Sequence, residues 1–175
     1  SYGSEWLSDF NIAGNPPQGY ENDHVGFAAA TVVVMNDLRS VLESHTGEDI
    51  CLLVCGHSRG AAVSNLLAAR VDDGQFADMG IGTQDVFAYT LACPCDTLAA
   101  DATDARYGNI FNLLVASDIV PQLPLHAWGY TQYGRTATFP RIDDDGFEEA
   151  DEAMRAFYKA AFGNDSPSDP HDAEV

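Results

Sequence analysis

The feature that most constrains the fold of this chain is a short apolar run followed directly by a glycine-flanked serine. The run extends from Ile50 to Cys55, and its continuous apolar character predicts a strand buried on both faces, as in a parallel sheet. The pentapeptide Gly56-His57-Ser58-Arg59-Gly60 follows, and residues Ala61 to Val71, rich in alanine and leucine, predict a helix. This succession of strand, sharp turn and helix predicts an α/β layered domain.

The pentapeptide places Ser58 on a turn between two elements that must pass close together. Gly56 and Gly60 are predicted to leave room for this approach, because they carry no side chains. The turn raises the Ser58 hydroxyl clear of the sheet and sets it at a helix N-terminus, where backbone N–H groups stabilise an oxyanion. We therefore predict Ser58 as a nucleophile and the Arg59 N–H as an oxyanion donor. The alternative is an ordinary glycine-rich turn from strand to helix.

The rest of the chain alternates between helical and strand patterns. Apolar residues recur at helical spacing from Phe27 to His45 and from Phe147 to Phe162, which predicts two amphipathic helices. The further predicted strands are Val86–Ala92, Ile110–Val115 and, at an edge, Arg135–Phe139. With 175 residues, the chain is predicted to form a single α/β domain over residues 1–175, with helices flanking a mostly parallel sheet.

An acidic partner for the serine is predicted from its position after a strand. Where a nucleophilic serine lies on such a turn, an acidic residue follows it in the chain and a histidine follows the acid. Asp118 comes just after the strand Ile110–Val115, so we expect it at the same sheet edge as Ser58, where it would orient a histidine. The alternative is an aspartate that only shapes a turn.

The chain has five histidines that could serve as the base. His171 is preferred because it comes last, in a loop beyond the final predicted helix, as the order of a triad requires. His126, in a loop after Asp118, is the second choice. Three others are less favoured by their positions: His24, His45 and His57.

A net charge of −19, from 27 acidic and 8 basic residues, restricts the partners. A nucleic-acid backbone and an anionic lipid surface would both be repelled. No run approaches about 20 consecutive apolar residues, so no membrane span is predicted. We expect a monomer that makes at most a transient contact with a lipid interface.

The four cysteines are predicted to be buried free thiols. Cys51 and Cys55 lie too far apart along one strand to pair, and Cys93-Pro94-Cys95 is too tight, although a bond between Cys55 and Cys93 is an alternative. The spacing of the cysteines does not fit a zinc site. The acidic segment 143–146 partly resembles a calcium loop, but Arg141 occupies the position of the first ligand, which argues against calcium. No metal or cofactor is predicted. Free thiols favour a reducing, cytoplasmic compartment, with secretion as the alternative.

Five segments, spread over residues 5 to 130, form a specific set. They are Glu5–Asn11, His24–Phe27, Gly56–Ala62, Tyr89–Pro94 and Ser117–Pro124. In these residues and in this order, the chain resembles the class 3 lipases, a fungal-lipase-like family of the α/β-hydrolase superfamily. The resemblance implies the fold of that superfamily and the hydrolysis of lipid esters, often at an interface.

The resemblance also implies roles for particular residues. It implies a triad of Ser58, Asp118 and a late histidine, and the residues around His171 resemble a histidine loop of bacterial relatives. By position it implies a second oxyanion donor at Ser1 and a mobile lid near residues 6–15. The alternatives are a phospholipase or thioesterase of the same fold, and a degenerate, non-catalytic hydrolase domain.

The chain departs from the family pattern at the serine turn and at both ends. Arg59 and Ala61 replace the usual leucine and second glycine, so a charge lies beside the nucleophile. The family has strands before the oxyanion turn on which this chain begins, and the chain ends four residues after His171. We therefore expect a sheet that is incomplete at both ends.

Overall fold

The computed structural model describes residues 15–141 and 143–163. These residues fall into two compact units, one of residues 15–114 and 118–138, the other of residues 115–117, 139–141 and 143–163. The first unit contains most of the sheet together with the serine turn, and the second contains the last helix. A single domain over residues 1–175 stays a prediction.

The described part of the chain has its helices and strands in the predicted order. The α-helices are α1 (Val25–Glu43), α2 (Arg59–Asp72) and α3 (Phe147–Phe162). The strands are β1 (Leu52–His57), β2 (Val86–Leu91), β3 (Ile110–Val115) and β4 (Arg135–Phe139). They form one sheet in the order β1-β2-β3-β4, in which β1, β2 and β3 are parallel. The prediction of an α/β arrangement with a mostly parallel sheet is therefore confirmed.

The core lies between one face of the sheet and the helices α1 and α2. Helix α2 packs on β1 and β2, and α1 packs on α2. Val86, Ala88 and Thr90 alternate along β2 and are fully buried. Small side chains let α2 lie close to the strands, because four of its buried residues are alanines, at positions 61, 62, 68 and 69.

The opposite face of the sheet is exposed. Leu53 in β1 is 69% exposed, and Phe87, Tyr89 and Leu91 in β2 are 41–47% exposed. Successive side chains of a strand point to opposite faces, so covering one face leaves every second side chain in solvent. The prediction that the run Ile50–Cys55 is buried on both faces is therefore wrong. Continuous apolar character identified the strand, but it carried no information about what lies above its second face.

The four cysteines differ in their exposure. All four are free, so the alternative bond between Cys55 and Cys93 does not form. Cys93 and Cys95 are buried as predicted, whereas Cys51 and Cys55 are exposed. Cys55 is two positions from Leu53 along β1 and therefore shares the uncovered face, which is why the prediction of burial fails there.

Helix α1 belongs to the core of the first unit. By length and composition alone, its 19 residues would be apolar enough to cross a membrane. Its buried residues lie on one side, and they are Phe27, Ala28, Thr31, Met35 and Leu42. This buried side packs on α2, whereas Val33 and Val41 on other sides of the helix are 60% and 56% exposed.

A partly buried carboxyl at the end of α2 predicts a dependence of stability on pH. Burial raises the pKa of Asp72 to about 6, although its Oδ1 accepts a hydrogen bond from Asn109 at 3.1 Å. A folded-state pKa above that of the unfolded chain means that the carboxyl contributes stability that is complete below about pH 4 and is lost as the pH rises through about 6. We expect Asp72→Asn to reduce the fall in the free energy of unfolding across this window.

Urea unfolding of the wild type and the variant at a series of pH values measures this difference. Asp37→Asn, at an exposed position on α1, is the control, and its profile should follow that of the wild type. An equal fall in stability for Asp72→Asn and the wild type would contradict the prediction.

Candidate active site

Ser58 lies on a strained turn between β1 and α2. Its backbone has φ 54° and ψ −125°, a region that non-glycine residues rarely adopt and that costs about 1–3 kcal/mol. The Ser58 N–H donates to the Leu91 carbonyl at the end of β2, at 2.9 Å. The Ser58 carbonyl accepts from the N–H groups of Ala61 and Ala62, at 2.9 and 3.2 Å. These bonds fix the turn to the neighbouring strand on one side and to the first turn of α2 on the other.

The two glycines that flank the serine have different roles. A Cβ atom on Gly56 would lie 2.3 Å from the Gly60 carbonyl oxygen and 2.6 Å from Ser64 Oγ, so only glycine fits there. A Cβ atom on Gly60 would meet nothing within 4 Å among the described residues. The prediction that a side chain would not fit is therefore confirmed for Gly56 and wrong for Gly60, the second residue of α2, whose backbone contacts the strand but whose Cβ position is open.

The turn places Ser58 at the N-terminus of a helix of 14 residues. Arg59 is the first residue of α2 and its side chain is exposed. The aligned peptide dipoles of α2 give this end a partial positive charge, which favours an anion beside Ser58. The other predicted oxyanion donor, Ser1, and the lid segment 6–15 up to residue 14 lie outside the described residues.

Asp118 lies at the same edge of the sheet as Ser58. Strands β1 and β3 both run parallel to β2, so their carboxyl ends, followed by Ser58 and Asp118, lie on one side of the sheet. Asp118 is half-buried, and its Oδ1 accepts a hydrogen bond from the Val120 N–H at 2.9 Å. This bond holds the start of the loop through one of the two carboxylate oxygens.

The histidines differ in their surroundings. His171 lies outside the described residues. His126 is exposed, with Nδ1 2.9 Å from the Tyr130 carbonyl oxygen and Nε2 3.5 Å from Cys95 Sγ. His24 is fully buried, and its ring lies on that of Phe27 with 4.4 Å between centroids, so it is a core residue.

The buried thiols are poor nucleophiles. Burial and the nearby Asp96 carboxyl raise the pKa of Cys95 to about 12, and burial raises the pKa of Cys93 well above its usual value. Both thiols are therefore protonated at neutral pH, and the thiolate is the reactive form. Neither thiol therefore competes with the Ser58 hydroxyl as a candidate nucleophile.

A buried polar network beneath this edge escaped the sequence analysis. Thr90 Oγ1 donates to Asn112 Oδ1 at 2.6 Å, and Asn65 Nδ2 donates to the same oxygen at 2.9 Å. The Tyr133 carbonyl accepts from Nδ2 of both asparagines, each at 2.9 Å. The signal in the sequence was a polar residue inside each of three otherwise largely apolar stretches, but nothing local shows that the three meet.

The chain is similar in sequence to a known protein family and in structure to several solved proteins. The family model described as Lipase (class 3) matches residues 3–128. The triacylglyceride lipase of Rhizomucor miehei is 24% identical with a TM-score of 0.62, covering 78% of this chain and 52% of its own. A lipase of Rhizopus microsporus var. chinensis is 24% identical with a TM-score of 0.56, covering 70% and 42%. No curated protein matches the chain.

These similarities assign the α/β-hydrolase fold, as the sequence analysis predicted. A further match is to a triacylglycerol lipase whose catalytic centre is described as a serine protease triad, with 24% identity, a TM-score of 0.62, and coverage of 82% of this chain and 54% of that one. The chain thus spans about half the length of the solved lipases that it matches.

Proposed function

This chain belongs to the class 3 lipase family, and we propose that it is a serine carboxylic ester hydrolase acting on lipid esters. The observation that carries the proposal is the backbone of Ser58, held at φ 54° between a parallel strand and the N-terminus of α2. Strain of this kind persists where the surrounding structure enforces it, and here it presents one hydroxyl at the carboxyl edge of the sheet.

We assign the triad to Ser58, Asp118 and His171. In the proposed reaction, His171 takes the hydroxyl proton as Ser58 attacks the ester carbonyl carbon, and Asp118 orients the imidazole and stabilises its charged form. The tetrahedral oxyanion accepts hydrogen bonds from the Arg59 N–H and from Ser1. His171 then protonates the leaving alcohol, and a water molecule, deprotonated by His171, releases the acid and regenerates Ser58.

Exposed apolar side chains in the segment that follows Asp118 support a lipid substrate. In the loop that follows Asp118, Ile119 is 65% exposed and Trp128 is 59% exposed. Contacts with acyl chains would remove this apolar surface from water. The net charge of −19 favours a neutral ester, such as an acylglycerol, over an anionic phospholipid. One of the matched proteins is a triacylglycerol lipase, which agrees with this choice.

A fluorophosphonate probe, followed by mass mapping of the modified peptide, tests the proposal. The expected result is one phosphonylated residue, Ser58, together with release of fatty acid from a neutral acylglycerol emulsion faster than from anionic phospholipid vesicles. Heat-unfolded protein is the control for non-specific reaction. Folded protein that neither reacts with the probe nor releases fatty acid would support the degenerate, non-catalytic alternative.

A further inference from the structure

We propose that Asn65 is a positioning residue for this reaction, which holds α2, and with it Ser58 and the Arg59 N–H, in register with the strand that leads to Asp118. The inference rests on the proposed function, because it concerns the alignment of the proposed triad. It is carried by the buried polar network of Asn65, Thr90, Asn112 and the Tyr133 backbone.

The network lies in one row across the sheet. Gly56 of β1 is the register partner of Thr90 in β2, and Thr90 is the partner of Asn112 in β3. Gly56 precedes Ser58 by two residues. The row is therefore adjacent to the edge at which the nucleophile and the acid lie, and a shift of α2 at this level is transmitted to Ser58.

Asn65 reaches this row from α2 and makes three side-chain hydrogen bonds, all of them to other elements. Its Nδ2 donates to Asn112 Oδ1 and to the Tyr133 carbonyl, and its Oδ1 accepts from the Tyr133 N–H at 3.0 Å. Asn65, Thr90 and Asn112 are each 0% exposed. Sliding or rotation of α2 would leave these buried polar groups without hydrogen-bond partners. The free-energy cost of such a movement is larger than it would be if only apolar contacts held the helix.

At the level of Gly56, β1 offers no apolar side chain that could fix the position of α2 along the strand. Gly56 has no side chain, and the space that a Cβ atom would take there holds the Gly60 backbone and Ser64 Oγ of α2. On the other side, Gly134 has φ 94°, and a Cβ atom there would lie 2.5 Å from the Ile110 carbonyl oxygen. The Tyr133–Gly134 backbone is thus pressed against β3, so each bond from Asn65 ties α2 to β3 directly or through this segment.

The proposed role predicts a loss in turnover rather than in substrate binding. Asn65 is buried and does not reach the substrate, whereas a displacement of about 1 Å between reacting groups can cost up to about a hundredfold in rate. For Asn65→Leu we expect kcat and the rate of Ser58 phosphonylation to fall by about tenfold to a hundredfold, with KM changed by less than about twofold.

Val71→Ala is the matched control, because Val71 is also fully buried in α2 but lies at the far end of the helix from Ser58. The two variants are compared at an equal margin below their own melting temperatures. The expected result is a loss of kcat in Asn65→Leu that is much larger than in Val71→Ala. Equal losses at matched stability would overturn the positioning role and leave the proposed function intact.

Asn65→Asp gives a second readout that keeps the shape of the side chain. Its ionised carboxylate cannot donate to Asn112 or to the Tyr133 carbonyl, whereas the protonated form regains one donor. The kcat of this variant relative to wild type should therefore rise as the pH is lowered, and a ratio independent of pH would overturn the role. If the wild type itself is unreactive towards the probe, the proposed function fails, and the positioning role fails with it.

Discussion

Replacement of Ser58 by alanine is expected to lower the kcat of ester hydrolysis by about a millionfold, the loss seen when the nucleophile of a serine protease triad is removed. Alanine cannot form the acyl-enzyme, so only substrate binding and oxyanion stabilisation remain. Loss of the hydroxyl removes no backbone hydrogen bond of the turn, and the thermal stability should change little. Initial rates on a chromogenic fatty-acyl ester, with a melting curve for each protein, measure both effects.

The two candidate bases allow a paired control. His171→Ala should cause a loss of similar size to that of Ser58→Ala, because nucleophile and base act as a unit. His126→Ala should retain kcat within about threefold, since this exposed ring bonds to the Tyr130 carbonyl and has no proposed role in the reaction. If His126→Ala abolished hydrolysis and His171→Ala did not, the base would be reassigned. Full activity of Ser58→Ala would contradict the mechanism altogether.

Gly56→Ala is expected to lower the free energy of unfolding by about 3 kcal/mol or more, an effect at the upper end for overpacking in a core. The added Cβ atom would lie 2.3 Å from a backbone oxygen and 2.5 Å from a backbone carbon of Gly60. Backbone atoms cannot swing aside as the end of a flexible side chain can. Relief of the clash requires α2 to move away from β1, which would also displace Ser58.

Gly60→Ala provides the control for the loss of a glycine in the same turn. It adds the same methyl group four residues along, in open space on the first turn of α2. Because alanine restricts the unfolded chain and favours the helix, we expect it to stabilise the protein by about 0.5–1 kcal/mol. Guanidinium unfolding of the two variants measures the contrast. Equal stability of Gly56→Ala and the wild type would contradict the steric argument.

The elements that could be predicted from sequence are those set by local patterns. Apolar runs and helical periodicity placed β2, β3, α1 and α2 to within a few residues, because these patterns reflect one covered face of each element. The position of Asp118 at the same sheet edge as Ser58 also followed, since parallel strands have their carboxyl ends on one side, while its role stays a prediction. The α/β-hydrolase fold was reached through five short segments rather than through any one of them.

What could not be predicted depends on residues distant in the chain. The uncovered face around Leu53 and Phe87 is a matter of what packs above a strand, which its own composition does not contain. Gly56 and Gly60 lie two residues before and two residues after Ser58 in the sequence, but their surroundings differ. Gly56 lies on a strand that faces α2, and Gly60 lies in the helix itself. The meeting of Asn65 with Asn112 joins residues 47 positions apart. The assignment of His171 stays a prediction.

The uncovered apolar face of the sheet makes the colloidal behaviour of this protein depend on its charge. In neutral solution, a net charge of −19 keeps molecules apart although leucine and aromatic side chains are open to contact. Acid removes that repulsion as carboxylates take up protons, while the apolar face is unchanged. We therefore expect folded molecules to associate under mildly acidic conditions, although the same conditions strengthen the folded state through Asp72.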